Sequence, residues 1–340
     1  MNSLIKHKKP EDAFYEPDLI GYNDVEFYSP NPLVDLVNLC NELHAKGYKN
    51  IQGKDAHHAE TYSLFVNFIG YCDISYMPNN VFHKIPIYKI DGMLYGHPKY
   101  LLIDILRQYN DPLTSYWRID KSIKRSMTLL KHYPLEFKGT FTKYTLDDKT
   151  NKILDYIRKE IINDSNLLVH GYYAFNYYMY KAQDDKKEEL YVPYYDVISI
   201  NLEEDAKTIS KKLFKLDNNI TVEEYHPFYQ FTDHKVTFIY NKKPILNVFG
   251  NKVNDKHMCI PYAHLDKKNI NIVSFQYTIM MLLIMHMYYH IRDEKTESKN
   301  MDFLIEELIK HRNIYFDKHK KHLLDDTPFK EFIIECLGET

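Results

Sequence analysis

Three acids in this chain could work together. Asp24 and Glu26 stand one residue apart in Ile20-Gly-Tyr-Asn-Asp-Val-Glu-Phe-Tyr-Ser29, and Asp73 sits in Gly70-Tyr-Cys-Asp-Ile-Ser-Tyr-Met-Pro78. On a strand, positions i and i+2 share a face, so Asp24 and Glu26 point the same way. A neighbouring strand that carries Asp73 would complete an oxygen-rich pocket for Mg²⁺, the setting of phosphoryl and nucleotidyl transfer. An isolated Asp-x-Glu is also common among strand-edge and turn acids, so the spacing leaves both readings open.

A second group is basic. Arg118, Lys121, Lys124 and Arg125 fall at i, i+3, i+6 and i+7, broadly one face of a helix. They could hold a triphosphate or an RNA backbone by counter-charge, or form an ordinary solvated face. Trp117 beside them is expected in the packed core. His57 and His58 have no cysteine or acid spacing that completes a zinc motif. His286 and His290 lie one helical turn apart in an apolar run and are expected as core or interface histidines. No Gly-x-Ser-x-Gly, P-loop lysine or dinucleotide fingerprint is present, so the sequence offers no support for hydrolase, P-loop or Rossmann chemistry.

The elements that must position these residues can be read in order. Residues 1–18 are polar and proline-bounded, and are expected as an arm or loop. A strand over 22–28 stops at Ser29-Pro-Asn-Pro32, which opens a helix with Leu33, Leu36, Val37, Leu39, Cys40 and Leu43, ending near Gly47. Strands over 61–69 and 71–77 follow, divided at Gly70, then a strand over 84–90 and a turn at Asp91-Gly92. Helical patterns cover 98–110 and 115–132. Pro134 closes the first half, so domains are expected at 1–134 and 135–340. The second half reads as helix 150–163, strand 167–170, helix 174–181, strand 192–200 and helix 203–215. Strands at 221–225, 234–240 and 243–248 come next, and helices at 272–291, 299–316 and 327–336 end the chain.

Composition sets the class. The chain has 340 residues, a net charge of −3, 31 tyrosines and 10 glycines. That describes a globular chain without a global basic field, so any nucleic-acid surface must be local. The four scattered cysteines (Cys40, Cys72, Cys259, Cys336) argue for a reducing compartment and against a disulfide framework. The first residues lack the apolar core of a signal peptide. The most apolar run, 272–291, carries Ser274, Gln276, His286 and His290, which suits a buried helix better than a membrane span. A soluble intracellular protein is expected. The halves also share an order of acid-bearing strand, helix and hairpin. Aligning Asp24 with Asp196 suggests a tandem duplication in which Asp196 keeps the first acid and Ile198 replaces the second.

Several strings resemble the poly(A) polymerase catalytic subunit family of nucleocytoplasmic large DNA viruses, of giant-virus and asfarvirus type. They are Asp24-Val-Glu-Phe-Tyr-Ser-Pro-Asn-Pro32, His57-His-Ala-Glu-Thr-Tyr62, Tyr71-Cys-Asp-Ile-Ser-Tyr-Met-Pro78, Asp111-Pro-Leu-Thr-Ser-Tyr-Trp-Arg118 with Lys121, and Pro328-Phe-Lys-Glu-Phe332. The resemblance covers about residue 17 to the end. It implies an α/β (α+β) fold of tandem polymerase-β-like nucleotidyltransferase domains, the second degenerate, with C-terminal helices. It implies Asp24, Glu26 and Asp73 as catalytic and metal-binding residues, Mg²⁺ or Mn²⁺ as cofactor, ATP as substrate and an RNA 3′ end as acceptor. It also implies self-association as a homodimer, and a place in the host cytoplasm at the viral factory and in the virion. The family's strand–Gly-Ser–helix, which holds the incoming triphosphate, has no match by pattern ahead of Asp24. In the second half His170-Gly-Tyr-Tyr-Ala174 stands in its place, with Tyr172 expected to obstruct phosphate. Two functions therefore compete: template-independent AMP transfer to RNA, and a degenerate paralogue that serves as an RNA-binding or dimerisation module; a third, small-molecule nucleotidyl transfer, shares the acids but does not explain the whole-chain resemblance.

Overall fold

The computed structural model describes residues 1–14, 25–56, 60–110, 116–136, 139–163, 167–183, 189–253, 256–257, 259–265, 270–331 and 336–337. Asp24, His57, His58 and residues 111–115 lie outside them. The chain divides into two compact units, Met1–His97 and Pro98–Thr340. The division falls earlier than the expected 134. The helices between the two points pack with the second unit: Lys99 reaches Asp302 at 2.9 Å, and Asn110 donates to Met280 at 3.6 Å.

The first unit begins with a helix, α1 (Asn2–Lys8), where a polar arm was expected. Its Leu4 and Ile5 are fully buried, which accounts for the helix in an otherwise polar stretch. The unit's sheet has the order β1-β4-β3-β2, formed by β1 (Val25–Ser29), β2 (Ile51–Asp55), β3 (Thr61–Val66) and β4 (Ile69–Tyr76). β1 runs parallel to β4, and the remaining pairs are antiparallel. Helix α2 (Pro32–Ala45) joins β1 to β2 and covers one face. There Leu36, Leu64, Cys72 and Ile74 form the core, with Phe27, Leu39, Cys40 and Leu43 around it. The β3–β4 turn is Asn67-Phe68, both at positive φ (51° and 66°), and Gly70 lies inside β4. Two left-handed residues in succession match the right-handed twist of the flanking strands. β2 escaped the sequence because Ile51-Gln-Gly-Lys-Asp55 carries a single apolar residue. A turn of helix, α3 (Asn79–Phe82), and a hairpin of β5 (Ile87–Ile90) and β6 (Met93–Gly96) complete the unit.

The second unit opens with α4 (Pro98–Tyr109), α5 (Ile119–His132) and α6 (Asp148–Glu160). Asp147 caps α6 through its carboxylate, which accepts from the Thr150 amide at 2.8 Å. Next come β7 (Leu167–His170), α7 (Gly171–Ala182), β8 (Tyr195–Ser199), α8 (Leu202–Leu216), β9 (Thr221–Tyr225), β10 (Lys235–Tyr240) and β11 (Lys243–Phe249). A short ribbon of β12 (Lys252–Val253) and β13 (Lys256–His257) precedes β14 (Ile260–Leu265) and β15 (Asn271–Val273). Helices α9 (Phe275–Ile291) and α10 (Lys295–His319) and strand β16 (Cys336–Leu337) end the chain. The large sheet has the order β16-β14-β15-β7-β8-β11-β10-β9. The helix expected over 327–336 does not form over its described part. Phe329 is fully buried among Tyr178, Phe275, Tyr315 and Phe316, and β16 pairs with β14. Among the described residues no helix is long and apolar enough to cross a membrane. α9 is buried on nearly all sides. Cys40 and Cys72 are free, but Cys259 is disulfide-bonded, where the scattered cysteines argued against a disulfide framework. Its nearest cysteine in sequence is 77 residues away (336 − 259), so no short spacing announces the bond.

The duplication is visible in topology. β8-α8-β9-β10-β11 repeats β1-α2-β2-β3-β4, with sheet orders β8-β11-β10-β9 and β1-β4-β3-β2, and with β8 parallel to β11 as β1 is to β4. The units align on the strand-to-helix corner. Ser29 Oγ donates to Asp35 and accepts from the Asn31 amide at 2.9 Å; Ser199 Oγ donates to Asp205 and accepts from the Asn201 amide at 2.9 Å. The offset is 170 throughout (199 − 29, 201 − 31, 205 − 35).

Candidate active site

The acids of the first unit stand on the face opposite α2. In the parallel register of β1 and β4, Glu26 faces Asp73. Adjacent strands lie about 4.8 Å apart, so two expected site residues are close neighbours. Asp24, the third, lies outside the described residues. β3 adds Ser63, paired with Asp73, and β2 adds Lys54, paired with Ser63. One row across four strands therefore reads Glu26, Asp73, Ser63, Lys54. Ser63 Oγ donates to Asp73 Oδ1 at 2.5 Å. A second row on the same face pairs Tyr28, Ser75 and Thr61, the last two sharing a hydroxyl bond at 3.1 Å. Lys54 is exposed, and its Nζ lies 4.1 Å from the centre of the Phe65 ring. Neither Ser63 nor Lys54 was singled out in the sequence. Alternation alone could not have found Ser63: folded back about Asn67-Phe68 it puts Ser63 opposite Cys72, and an irregularity between Leu64 and Phe65 shifts the pairing by one residue so that Ser63 meets Asp73.

Two carboxylates on neighbouring strands repel unless a cation stands between them, and hard oxygen donors suit a divalent ion. Among the described residues no three His, Cys, Asp or Glu side chains form a metal cage, and Glu26 and Asp73 make a pair. The adjacent Cys72 is not a nucleophile candidate. Burial, with the Asp73 charge adding, pushes its thiol up to about 11, and its side chain is in the α2 core.

The corresponding row in the second unit is closed. With the corner fixed by Ser199 and Asn201, Asp196 corresponds to Glu26, Tyr194 to position 24 and Asn247 to Asp73. Alignment from the acids placed Asp196 two residues out of register, because it ignored the Ser-x-Asn-x-x-x-Asp string that both halves carry (Ser29 to Asp35, Ser199 to Asp205). Asn247 Nδ2 donates to Asp196 Oδ1 at 2.7 Å, and Thr237 Oγ1 donates to Asn247 Oδ1 at 2.8 Å. A hydrogen bond from an amide thus joins the two positions that are both acids in the first unit. Asp196 is 7% exposed, and burial pushes its carboxyl up to about 6 against the pull of Asn247 and Lys235. The Lys235 ammonium, itself pushed down by burial, lies 4.4 Å from the Tyr225 ring centre and supplies positive charge there. Gly171 closes the opposite side at φ +65°; a Cβ on it would meet Asp196 Oδ2 at 2.3 Å. Tyr172 is buried against Tyr194 and Phe141, in the core rather than across a phosphate path. His170 is buried beside Phe249, and burial lowers it to about 3.

The basic residues lie on the second unit. Arg118 immediately precedes α5, and Arg118, Lys121 and Lys124 are exposed, while Arg125 is half-buried. Ser122, Ser126 and Leu129 face inward. Trp117 is 62% exposed, contrary to the expected core position, because it precedes the helix in a short 3₁₀ turn rather than on its buried face. His286 is held as expected for a core histidine: its Nδ1 lies 3.1 Å from Asp302 and 3.1 Å from Ser298 Oγ.

Residues 1–115 match the family model described as "Poly(A) polymerase catalytic subunit", and residues 127–340 the model described as "APMV, Putative poly(A) polymerase, catalytic subunit, C-terminal". An Acanthamoeba polyphaga mimivirus protein named "Putative poly(A) polymerase catalytic subunit" is 37% identical over 376 residues, covering 100% of this chain and 63% of the relative. A protein of the same name from African swine fever virus (isolate Pig/Kenya/KEN-50/1950) is 24% identical over 245 residues, covering 70% of this chain and 47% of the relative. The crystal structure of the Megavirus polyadenylate synthase superimposes with a TM-score of 0.92 at 35% identity, over 100% of this chain and 69% of that one. The chain spans less than two thirds of the curated relatives it matches.

Proposed function

The chain belongs to the poly(A) polymerase catalytic subunit family, and on that footing we propose that its first unit transfers AMP from ATP to the 3′ end of RNA without a template. The observation that carries the proposal is the register of Glu26 with Asp73 on parallel strands, on a sheet face that α2 leaves uncovered. The second unit serves as a structural copy, since its matching row joins Asn247 to Asp196 by an amide hydrogen bond and carries one carboxylate.

In this scheme Glu26 and Asp73, with Asp24, hold Mg²⁺ or Mn²⁺. A bound ion would neutralise charge developing on the α-phosphate and the leaving pyrophosphate. The protein's own residues set the stage. Ser63 fixes one oxygen of Asp73. The sheet holds both carboxylates at a spacing that thermal motion of a loop would not keep. Arg118, Lys121 and Lys124 present cations to an RNA backbone or a triphosphate. We extend the proposal to self-association, which the family resemblance implies; light scattering would then report twice the 40.8 kDa chain mass.

The test is primer extension with purified protein, an RNA primer and each nucleoside triphosphate in turn, with Mg²⁺ or Mn²⁺. The expected result is extension with ATP that chelation abolishes. No extension with any nucleotide and either ion would contradict the assignment.

A further inference from the structure

We propose that Ser63 is a positioning residue that sets the Asp73 carboxylate for its metal ion. The inference rests on the metal-site reading above and deepens it. Ser63 stands in register with Asp73 across β3 and β4 and is 8% exposed. Its hydroxyl donates to Oδ1 at 2.5 Å, a distance typical of an O–H donor on an ionised oxygen. A carboxylate on a strand otherwise rotates freely about its last torsion, which is broad and nearly two-fold. One buried donor removes that freedom and commits Oδ1, leaving Oδ2 as the oxygen for a ligand.

The second unit shows the same device with a different side chain. Thr237 corresponds to Ser63 by the offset that relates Asn247 to Asp73 (237 − 63 and 247 − 73 are both 174). The Thr237 hydroxyl donates to Asn247 Oδ1 at 2.8 Å, and the amide's other atom, Nδ2, is thereby directed to Asp196 at 2.7 Å. Glu26 and Asp73 have both changed identity there, to Asp196 and Asn247, yet the hydroxyl on the middle strand donates as before. In that unit it selects which end of Asn247 meets the neighbouring strand. In the first unit the same donor, on the same side chain position, turns Oδ2 of Asp73 toward the strand that carries Glu26. Hydrogen bonds that orient metal ligands in this way typically account for a 10- to 100-fold change in metal affinity.

The experiment measures Mn²⁺ binding to the full chain by calorimetry or electron paramagnetic resonance, with thermal melting and the Mn²⁺ concentration for half-maximal AMP incorporation alongside. Ser63→Ala should weaken Mn²⁺ binding about 10-fold or more and raise the half-maximal concentration in step. Ser63→Thr, which restores the donor used in the second unit, should stay within about twofold of wild type. Ser63→Cys keeps the volume with a poor donor and should follow Ser63→Ala, so it carries the test if the alanine variant does not melt cooperatively. Wild-type affinity in Ser63→Ala, or equal weakening in Ser63→Thr, overturns the positioning role. Equal Mn²⁺ binding by wild type and Asp73→Asn would instead overturn the metal site itself, and the positioning role with it.

Discussion

Glu26 and Asp196 occupy the same place in two copies of one fold, and their surroundings are opposite in kind. Glu26 is exposed and faces a second carboxylate; Asp196 is buried and faces an amide. The sequence made Glu26 and Asp73 legible, because strand alternation and the long Tyr71–Pro78 string pointed to them. It misplaced Asp196 by two residues, because acids were matched to acids while the corner that fixes register is Ser-x-Asn. Burial in the second unit has a consequence for pH. His170 is held to about 3 against an ordinary 6.5, so the unfolded chain binds a proton between these values and the folded chain does not. Its contribution is therefore complete above pH 6.5 and is lost as pH falls toward 3. Asp196, raised to about 6 from 3.8, works the other way: its contribution falls as pH rises through that window. Replacing His170 by Asn should flatten the loss of stability between pH 6.5 and 4, leaving the opposite slope of Asp196. Calorimetric melting temperatures of wild type and variant at pH 7 and 5 check this, and parallel slopes would refute it.

Elements were legible where one apolar face repeats. α2, α8, β7, β9 and β10 stand within a residue or two of their expected places. Those missed depend on partners far away in sequence. β2 is a strand because β3 offers it a ladder, and residues 327–331 turn because Phe329 inserts among aromatics from three helices. α5 has a functional consequence. Its inward face is Ser122, Ser126 and Leu129, so Arg118, Lys121 and Lys124 are exposed together with Trp117. Replacing the three cations by Ala should weaken RNA binding at low salt and reduce the salt slope by about 2, at about 0.7 per single-strand phosphate contact. Binding titrations from 50 to 200 mM salt read both quantities. An unchanged slope would make this face merely solvated.

At the scale of the chain, a net charge of −3 excludes a general affinity for nucleic acid, and function must come from local surfaces. Duplication supplies two sheets of one design, and the paired carboxylates of Glu26 and Asp73 stand on the first. The sequence showed two halves, but it placed their division at 134 rather than at His97/Pro98, since tertiary packing of α4 and α5 leaves no mark in hydrophobic period. It could not show how the two sheets differ, because the difference lies in a cross-strand pair: Glu26 with Asp73 in one, Asp196 with Asn247 in the other. The decisive measurement is adenylate incorporation into an RNA primer by wild type, Asp73→Asn and Asp196→Asn, each checked for cooperative melting. Asp73→Asn should lower incorporation at least about 100-fold, a loss of the size seen when one charge-stabilising group is removed from an active site. Asp196→Asn should stay within about twofold of wild type, as expected for a residue outside the reacting site. Full activity in Asp73→Asn, or its loss in a folded Asp196→Asn, would contradict the account.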